Sequence, residues 1–297
     1  MAVTPLDLAR RAAEFMRERG LENARLEAEL LLAHALGVRR LDLYLQFERP
    51  LTDAEVERFR ELVRRRLRRE PLQYILGEVQ FRELELHVDP RVLIPRPETE
   101  VLVGEVLEWA ASRGEALTAV DIGTGSGAIA LSLLREGPFE RVVATDRSTD
   151  ALAVAAENAA RTGLADRLEL RHGSLWEAVG PGERFDVVVS NPPYVPESDR
   201  PTLAPEVSEW EPEEALFAPD DGLAILEALV DGAPDHLLPS GLLALEIGED
   251  QGGRVLASIE RRSAYTDARI VRDLAGRERI VLAAVATIAQ KEDADHA

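Results

Sequence analysis

Cysteine is absent from the 297 residues, so neither a disulfide nor a thiolate metal site can form. Only five histidines occur, scattered along the chain, and no structural metal is expected. No apolar run reaches the roughly 20 residues needed to span a bilayer. The opening MAVTPLDLARRAAEFMRERG reads as an amphipathic helix rather than a signal segment. A soluble, cytoplasmic monomer with no membrane partner is expected. A basic excess is also missing, since the net charge is −20. Residues 1–80 carry 15 Arg against 14 acidic residues, whereas residues 81–297 carry 20 basic against 41 acidic. Such a body argues against direct binding of nucleic acid, whose affinity comes largely from neutralising phosphates. It suits a cationic ligand or a basic protein partner, although charge of this kind also serves solubility.

What is present is an ordinary globular balance, 45% hydrophobic and 30% charged, on a chain long enough for two domains. The first 80 residues read as helices only. Thr4, Pro5 and Asp7 mark a helix start and Gly20 a stop. ARLEAELLLAHALG carries an apolar stripe and ends at Gly37. TDAEVERFRELVRRRLRRE opens with a capping box, Thr52 to Glu55, and stops before Pro71. Its arginine-rich end fits either a partner surface or the cations favoured at a helix C-terminus. VQFRELELHV and PRVLIP alternate like a hairpin connector. The expected layout is a helical domain over 1–84, a connector over 85–100, a second domain over 101–289 and a disordered tail over 290–297. In the second domain TAVDIG, RVVATD, RLELRHG, RFDVVVS, GLLALEIG, ARIVRDL and ERIVLAAV read as strands, mostly separated by helices. That alternation predicts an α/β fold, a mostly parallel seven-stranded sheet with one antiparallel strand near its end.

VDIGTGSGAIA places Gly123, Thr124, Gly125, Ser126 and Gly127 between a strand and a helix, where glycines let backbone approach a ligand. Gly123-x-Gly125-x-x-Ala128 also fits a dinucleotide fingerprint. Asp146, at the end of VVATD, stands where a ribose-binding carboxylate belongs, and its two oxygens can accept from both hydroxyls. A tight turn and a helix N-cap would explain the same residues without a ligand. Two features favour S-adenosylmethionine over a dinucleotide: the extra domain lies upstream and is helical, and an acidic body tolerates a sulfonium better than a pyrophosphate. Leu175 or Trp176, in HGSLW, could supply an apolar wall for adenine, or simply core packing.

SNPPYV closes the fourth strand. Asn191 offers a side-chain acceptor and Pro192 a carbonyl, while neither Pro192 nor Pro193 has an N–H to compete. A planar –NH2 group could donate one hydrogen to each oxygen and hold its nitrogen towards a cofactor methyl group. Tyr194 would cover the planar group with its ring. Catalysis would then rest on orientation and electrostatics. Asn-Pro alone would mean only a turn.

DIGTGSG, ATD and NPPY in this order resemble the Rossmann-like methyltransferases that modify planar nitrogens. PLQYILGEVQF, LIPRPETE and PEVSEWEPEEALFAPDDGL, with EAELLLAHALG in the helical part, resemble the release factor glutamine methyltransferase (PrmC/HemK) family over nearly the whole chain. The resemblance implies methylation, with S-adenosylmethionine, of the Gln side-chain nitrogen in the Gly-Gly-Gln motif of bacterial class 1 peptide chain release factors. It implies a cofactor loop from Gly123 to Gly127, a ribose ligand at Asp146, and a target clamp of Asn191, Pro192, Pro193 and Tyr194. It also puts Arg96, Pro97, Glu98 and Thr99 near the methionine end of the cofactor or the target loop. Some members have an Asp-Trp-Phe type sequence where Ser174-Leu175-Trp176 stands here, so the adenine neighbour is either Leu175 or Trp176. The helical domain is assigned to partner recognition. Rival readings are a glutamine methyltransferase acting on a ribosomal protein, an adenine-specific DNA methyltransferase and a cofactor-binding scaffold.

Overall fold

Five helices form from the first 77 residues: α1 (Pro5–Arg17), α2 (Ala24–Leu36), α3 (Arg40–Leu45), α4 (Asp53–Leu67) and α5 (Leu72–Leu76). Pro5 suits the first turn of α1, where no intrahelical N–H is needed. Gly37 closes α2 in the left-handed region. The capping box of α4 is present, Thr52 Oγ1 accepting from Glu55 N at 3.3 Å while Glu55 accepts from Thr52 N at 2.8 Å. Met16, Leu31, Leu32 and Phe59 fill the core between these helices, each contributing about 1.5–3 kcal/mol of burial. The computed structural model describes residues 3–286 other than 115, 220 and 274. The tail expected over 290–297 lies outside the described residues.

The chain divides into two units, one of residues 1–77 with 204–210, the other of 78–203 with the residues from 211 on. The division falls at Gly77 rather than at 84, because residues 78–87 pair as a hairpin that packs with the second unit. Within the first unit the arginine run at the end of α4 is largely occupied. Arg66 is buried and donates to Glu27 at 2.8 Å and Glu206 at 3.0 Å, Arg64 donates to Glu57 and Glu61, and Arg69 reaches Glu206 at 3.2 Å. These pairs occupy Arg64, Arg66 and Arg69 of the run that the sequence left open between a partner surface and helix-end cations.

The second unit opens with the antiparallel strands β1 (Glu78–Phe81) and β2 (Leu84–His87), then α6 (Pro97–Ala111). The main sheet follows: β3 (Leu117–Ile122), α7 (Ala128–Glu136), β4 (Phe139–Asp146), α8 (Thr149–Thr162), β5 (Leu168–His172) and β6 (Phe185–Ser190). A two-residue strand, β7 (Val195–Pro196), pairs with β8 (Phe217–Ala218). Between them lie α9 (Pro205–Ser208), which belongs to the first unit, and α10 (Glu213–Leu216). The chain ends with α11 (Ala224–His236), β9 (Leu237–Glu246), α12 (Gly252–Glu260), β10 (Tyr265–Arg272) and β11 (Glu278–Val285). The seven strands run in the order β10-β11-β9-β6-β3-β4-β5, and β11 runs antiparallel to the other six. The inner strands are largely apolar on both faces because both faces are covered, whereas the edge strands β5 and β10 carry charged residues. Ala119, Val142 and Val187 pack with Val103 and Leu131 on one side, and Val120, Val143 and Val188 with Leu226 and Val255 on the other.

Candidate active site

Strand order sets the place. From β3 the chain moves outward to β4 and β5, then returns to lay β6 on the other side of β3. Ligands of such sheets bind outside the carboxyl ends of the strands at this reversal. There a solvent-open cleft of about 900 Å³ is lined by Gly123, Gly125, Asp146, Leu175, Asn191, Pro192 and Pro193. Ser190 Oγ donates to Ile122 O at 2.6 Å, which ties the end of β6 to the end of β3 and so brings Asn191 beside the glycine loop.

Gly123 and Gly125 have φ of +76° and +54°, and a Cβ on either would meet no atom within 4 Å. Their need for glycine is therefore conformational, and their backbone faces open space. Thr124, Ser126 and Gly127, expected along the cofactor loop, do not line the cleft. Thr124 turns inward and donates to Asp121 Oδ2 at 2.7 Å. Ser126 is buried, its carbonyl accepting from Asn158 Nδ2 at 2.9 Å. Gly127 packs beneath, where a Cβ would stand 3.2 Å from Leu131. Asp121 is fully buried, and desolvation pushes its carboxyl up to about 7 against the hydrogen bonds from Thr124 and the Ala130 N–H.

Asp146 lines the cleft at the end of β4. Its Oδ2 accepts from Gly125 N and its Oδ1 from Ser148 N, both at 2.9 Å. Burial raises its pKa, while those two N–H groups hold it down. Each oxygen keeps a further lone pair. Leu175, with φ of +49°, lies in the cleft wall with Ile225. Trp176 points elsewhere. Its Nε1 donates to Ala228 O at 2.9 Å, its ring stacks on His236 at 4.8 Å, and it lies against Gly232, where any Cβ would collide with the indole. Of the two candidates for the adenine wall, Leu175 alone lines the cleft.

Asn191 Nδ2 donates to Thr99 Oγ1 at 3.1 Å. Among the described residues no donor engages Asn191 Oδ1 or the Pro192 carbonyl. Tyr194, expected over the target, does not line the cleft. Its hydroxyl donates to the buried Glu246 at 3.2 Å, and burial raises its pKa. Its carbonyl accepts from Gln251 Nε2 at 2.9 Å and abuts Gly222, where a Cβ would sit 2.0 Å from that oxygen. Arg96 is absent from the cleft wall as well. It pairs with the buried Glu211, which also accepts from Ile94 N at 3.3 Å, so LIPRPETE and EWEPEEAL meet in one ion pair. Of the described Arg96–Thr99 group, Thr99 alone hydrogen-bonds to the clamp, at Asn191, while Glu98 acts on Tyr194 through its charge. Glu246 and Gln251 belong to no motif, and Asp121, though it opens DIGTGSG, has no expected role. Their signal is a polar residue inside or just after an apolar strand.

The lining fits S-adenosylmethionine. Open backbone at Gly123 and Gly125 admits a close ligand, Asp146 retains acceptor capacity for hydroxyls, and Leu175 and Ile225 give an apolar wall. Residues 7–77 match the family model of the PrmC N-terminal domain, and residues 99–206 that of the methyltransferase small domain. The release factor glutamine methyltransferase of Geobacter sulfurreducens is 45% identical over 267 residues, spanning 90% of this chain and 92% of that protein. Its namesake from Rhodopirellula baltica is 37% identical over 281 residues, spanning 94% and 95%. The chain belongs to the release factor glutamine methyltransferase family. Solved structures bear out the fold. A methyltransferase from Pyrococcus furiosus matches with a TM-score of 0.53 at 20% identity, over 70% of this chain and 91% of that one. A 16S rRNA methyltransferase from T. thermophilus matches with a TM-score of 0.52 at 18% identity, over 70% and 49%. The family is S-adenosylmethionine-dependent, so the cofactor that the cleft fits is the one the family uses.

Proposed function

We propose that the chain methylates the side-chain nitrogen of the glutamine in the Gly-Gly-Gln loop of bacterial class 1 peptide chain release factors. The observation that carries this reading is the pair of free acceptors, Asn191 Oδ1 and the Pro192 carbonyl, at the end of β6 beside the glycine loop. When bound, S-adenosylmethionine supplies an electrophilic methyl group on a sulfonium sulfur and departs as the thioether. Gly123, Gly125, Asp146 and Leu175 would hold it. The two acceptors each take one N–H of the target carboxamide, fixing its plane and aiming its nitrogen into the cleft. They also stabilise the positive charge that grows on nitrogen as its delocalised lone pair is used. The nitrogen gains the methyl group and releases one proton, which the open cleft passes to water.

The helical unit, matched by the PrmC N-terminal domain model, would recognise the release factor. Support comes from apolar side chains left at its surface, Leu41, Leu45 and Phe47, which are 62%, 72% and 51% exposed. The test is mass spectrometry of the Gly-Gly-Gln peptide after incubation of an unmodified release factor with S-adenosylmethionine and the protein. One added methyl on the glutamine is expected, slowed about 100-fold or more in Asn191→Ala by loss of one acceptor. Transfer to a ribosomal protein or to DNA, with none to the release factor, would reject the proposal.

A further inference from the structure

Behind Asn191 lies a buried acid that the mechanism above does not use. Glu246, at the end of β9, is 1% exposed and faces two hydroxyls. Thr99 Oγ1, in the first turn of α6 and 4% exposed, donates to its Oε2 at 2.6 Å, and Tyr194 donates to its Oε1 at 3.2 Å. Three chain segments far apart in sequence thus meet behind the amide. We propose that Glu246 and Thr99 are positioning residues that fix which atom of the Asn191 amide faces the target; this rests on the glutamine-methylating reading.

A hydroxyl owns a single hydrogen. With Thr99 spending it on the Glu246 carboxylate, Thr99 Oγ1 is left only lone pairs for Asn191, 3.1 Å away. The amide must then turn Nδ2 towards Thr99, which leaves Oδ1 outward as the acceptor. The inverted amide would set two oxygens against each other behind, and a donor against the target –NH2 in front. Only the outward-oxygen orientation satisfies both sides. Neither residue touches the reacting atoms, and Glu246 acts wholly through Thr99. The groups facing Glu246 are Thr99 and Glu98 from α6, Tyr194 from the turn after β6, and Arg279 from β11. Burial first, then Glu98, push its carboxyl up to about 7, while Thr99, Tyr194 and Arg279 oppose the rise. Once protonated, Glu246 carries a hydrogen of its own and no longer dictates where Thr99 donates.

The test compares the full-length wild type with Thr99→Val, Thr99→Ser and Glu246→Gln, using an unmodified release factor as methyl acceptor. Thr99→Val is expected to lower kcat at least tenfold while leaving the Kd for S-adenosylmethionine within twofold. Thr99→Ser should restore most of the rate. In the wild type kcat should rise with pH through about 7, and Glu246→Gln should be slow and lack that rise. The relay is also read without turnover, from the 15N–1H signals of the Asn191 side-chain amide. These should titrate in the wild type and shift in Thr99→Val and Glu246→Gln. A wild-type rate in Thr99→Val, a serine variant as slow as the valine one, or amide signals blind to pH and to both substitutions would overturn the relay. A wild type that methylates no release factor yet shows the titrating amide would instead sink the functional reading and leave the relay standing.

Discussion

Replacing Asp146 by Asn changes one atom and tests two roles together. The carboxylate accepts from the Gly125 and Ser148 N–H groups at 2.9 Å each, one on either oxygen. An amide can satisfy only one of them, because its –NH2 must point a donor at the other. A buried donor left without an acceptor costs about 1–3 kcal/mol, and hydrogen bonds to a charged acceptor lie at the upper end. The variant should therefore lose about 1–3 kcal/mol of stability in urea titrations. If the frustrated donor is Gly125 N–H, the loop that faces the cleft is displaced as well. Together with the lost charge towards the ribose, the Kd for S-adenosylmethionine should rise about 10- to 100-fold by calorimetry. A 2′-deoxy cofactor analogue separates the two causes. It should bind the wild type more weakly than the parent cofactor, and Asp146→Asn should discriminate much less. Equal discrimination by both proteins would refute the ribose role, and an unchanged stability would refute the brace.

Leu175→Ala should weaken S-adenosylmethionine binding several-fold, whereas Trp176→Phe should leave its Kd within twofold and lower stability instead, since the indole N–H holds Ala228 O away from the cleft. Asp121 keeps its proton to about 7 in the folded chain against an ordinary 3.8, so between those values the unfolded chain has already released it. Stability contributed in this way is present at low pH and lost as pH rises, by at most about 4 kcal/mol. Urea midpoints should fall from about pH 4 to about pH 7 and level off above it, more steeply in the wild type than in Asp121→Asn; parallel slopes would contradict the assignment. Leu45→Asp should raise KM for the intact release factor about tenfold while leaving turnover of a short Gly-Gly-Gln peptide unchanged, and equal effects on both substrates would count against a recognition role for the helical unit.

The seven strands and the reversal beside β3 were legible because apolar strands alternate with capped helices, a pattern local in sequence. The loop was legible as a place but not residue by residue. Positive φ at Gly123, Gly125 and Gly127 faces alternate residues in opposite directions, so Thr124 and Ser126 enter the core. Trp176 was ambiguous because its niche depends on Gly232, 56 residues further on, which no local pattern announces. Tyr194 looked free to stack on a target because Glu246 stands in another strand. The boundary at 84 cut through the hairpin of β1 and β2, whose alternation was legible but whose membership of the second unit was not. Long-range polar partners were the illegible part.

The ion pair between Arg96 and Glu211 has an evolutionary consequence. Glu211 serves two donors, the guanidinium and the Ile94 N–H, so the charges cannot be exchanged between the two positions. A basic residue at 211 would confront a backbone donor that has no way to move aside. Related chains should therefore vary more freely at 96, provided a donor remains, than at 211, where only an acceptor of similar reach is tolerated. Substitution histories at these sites should run one way.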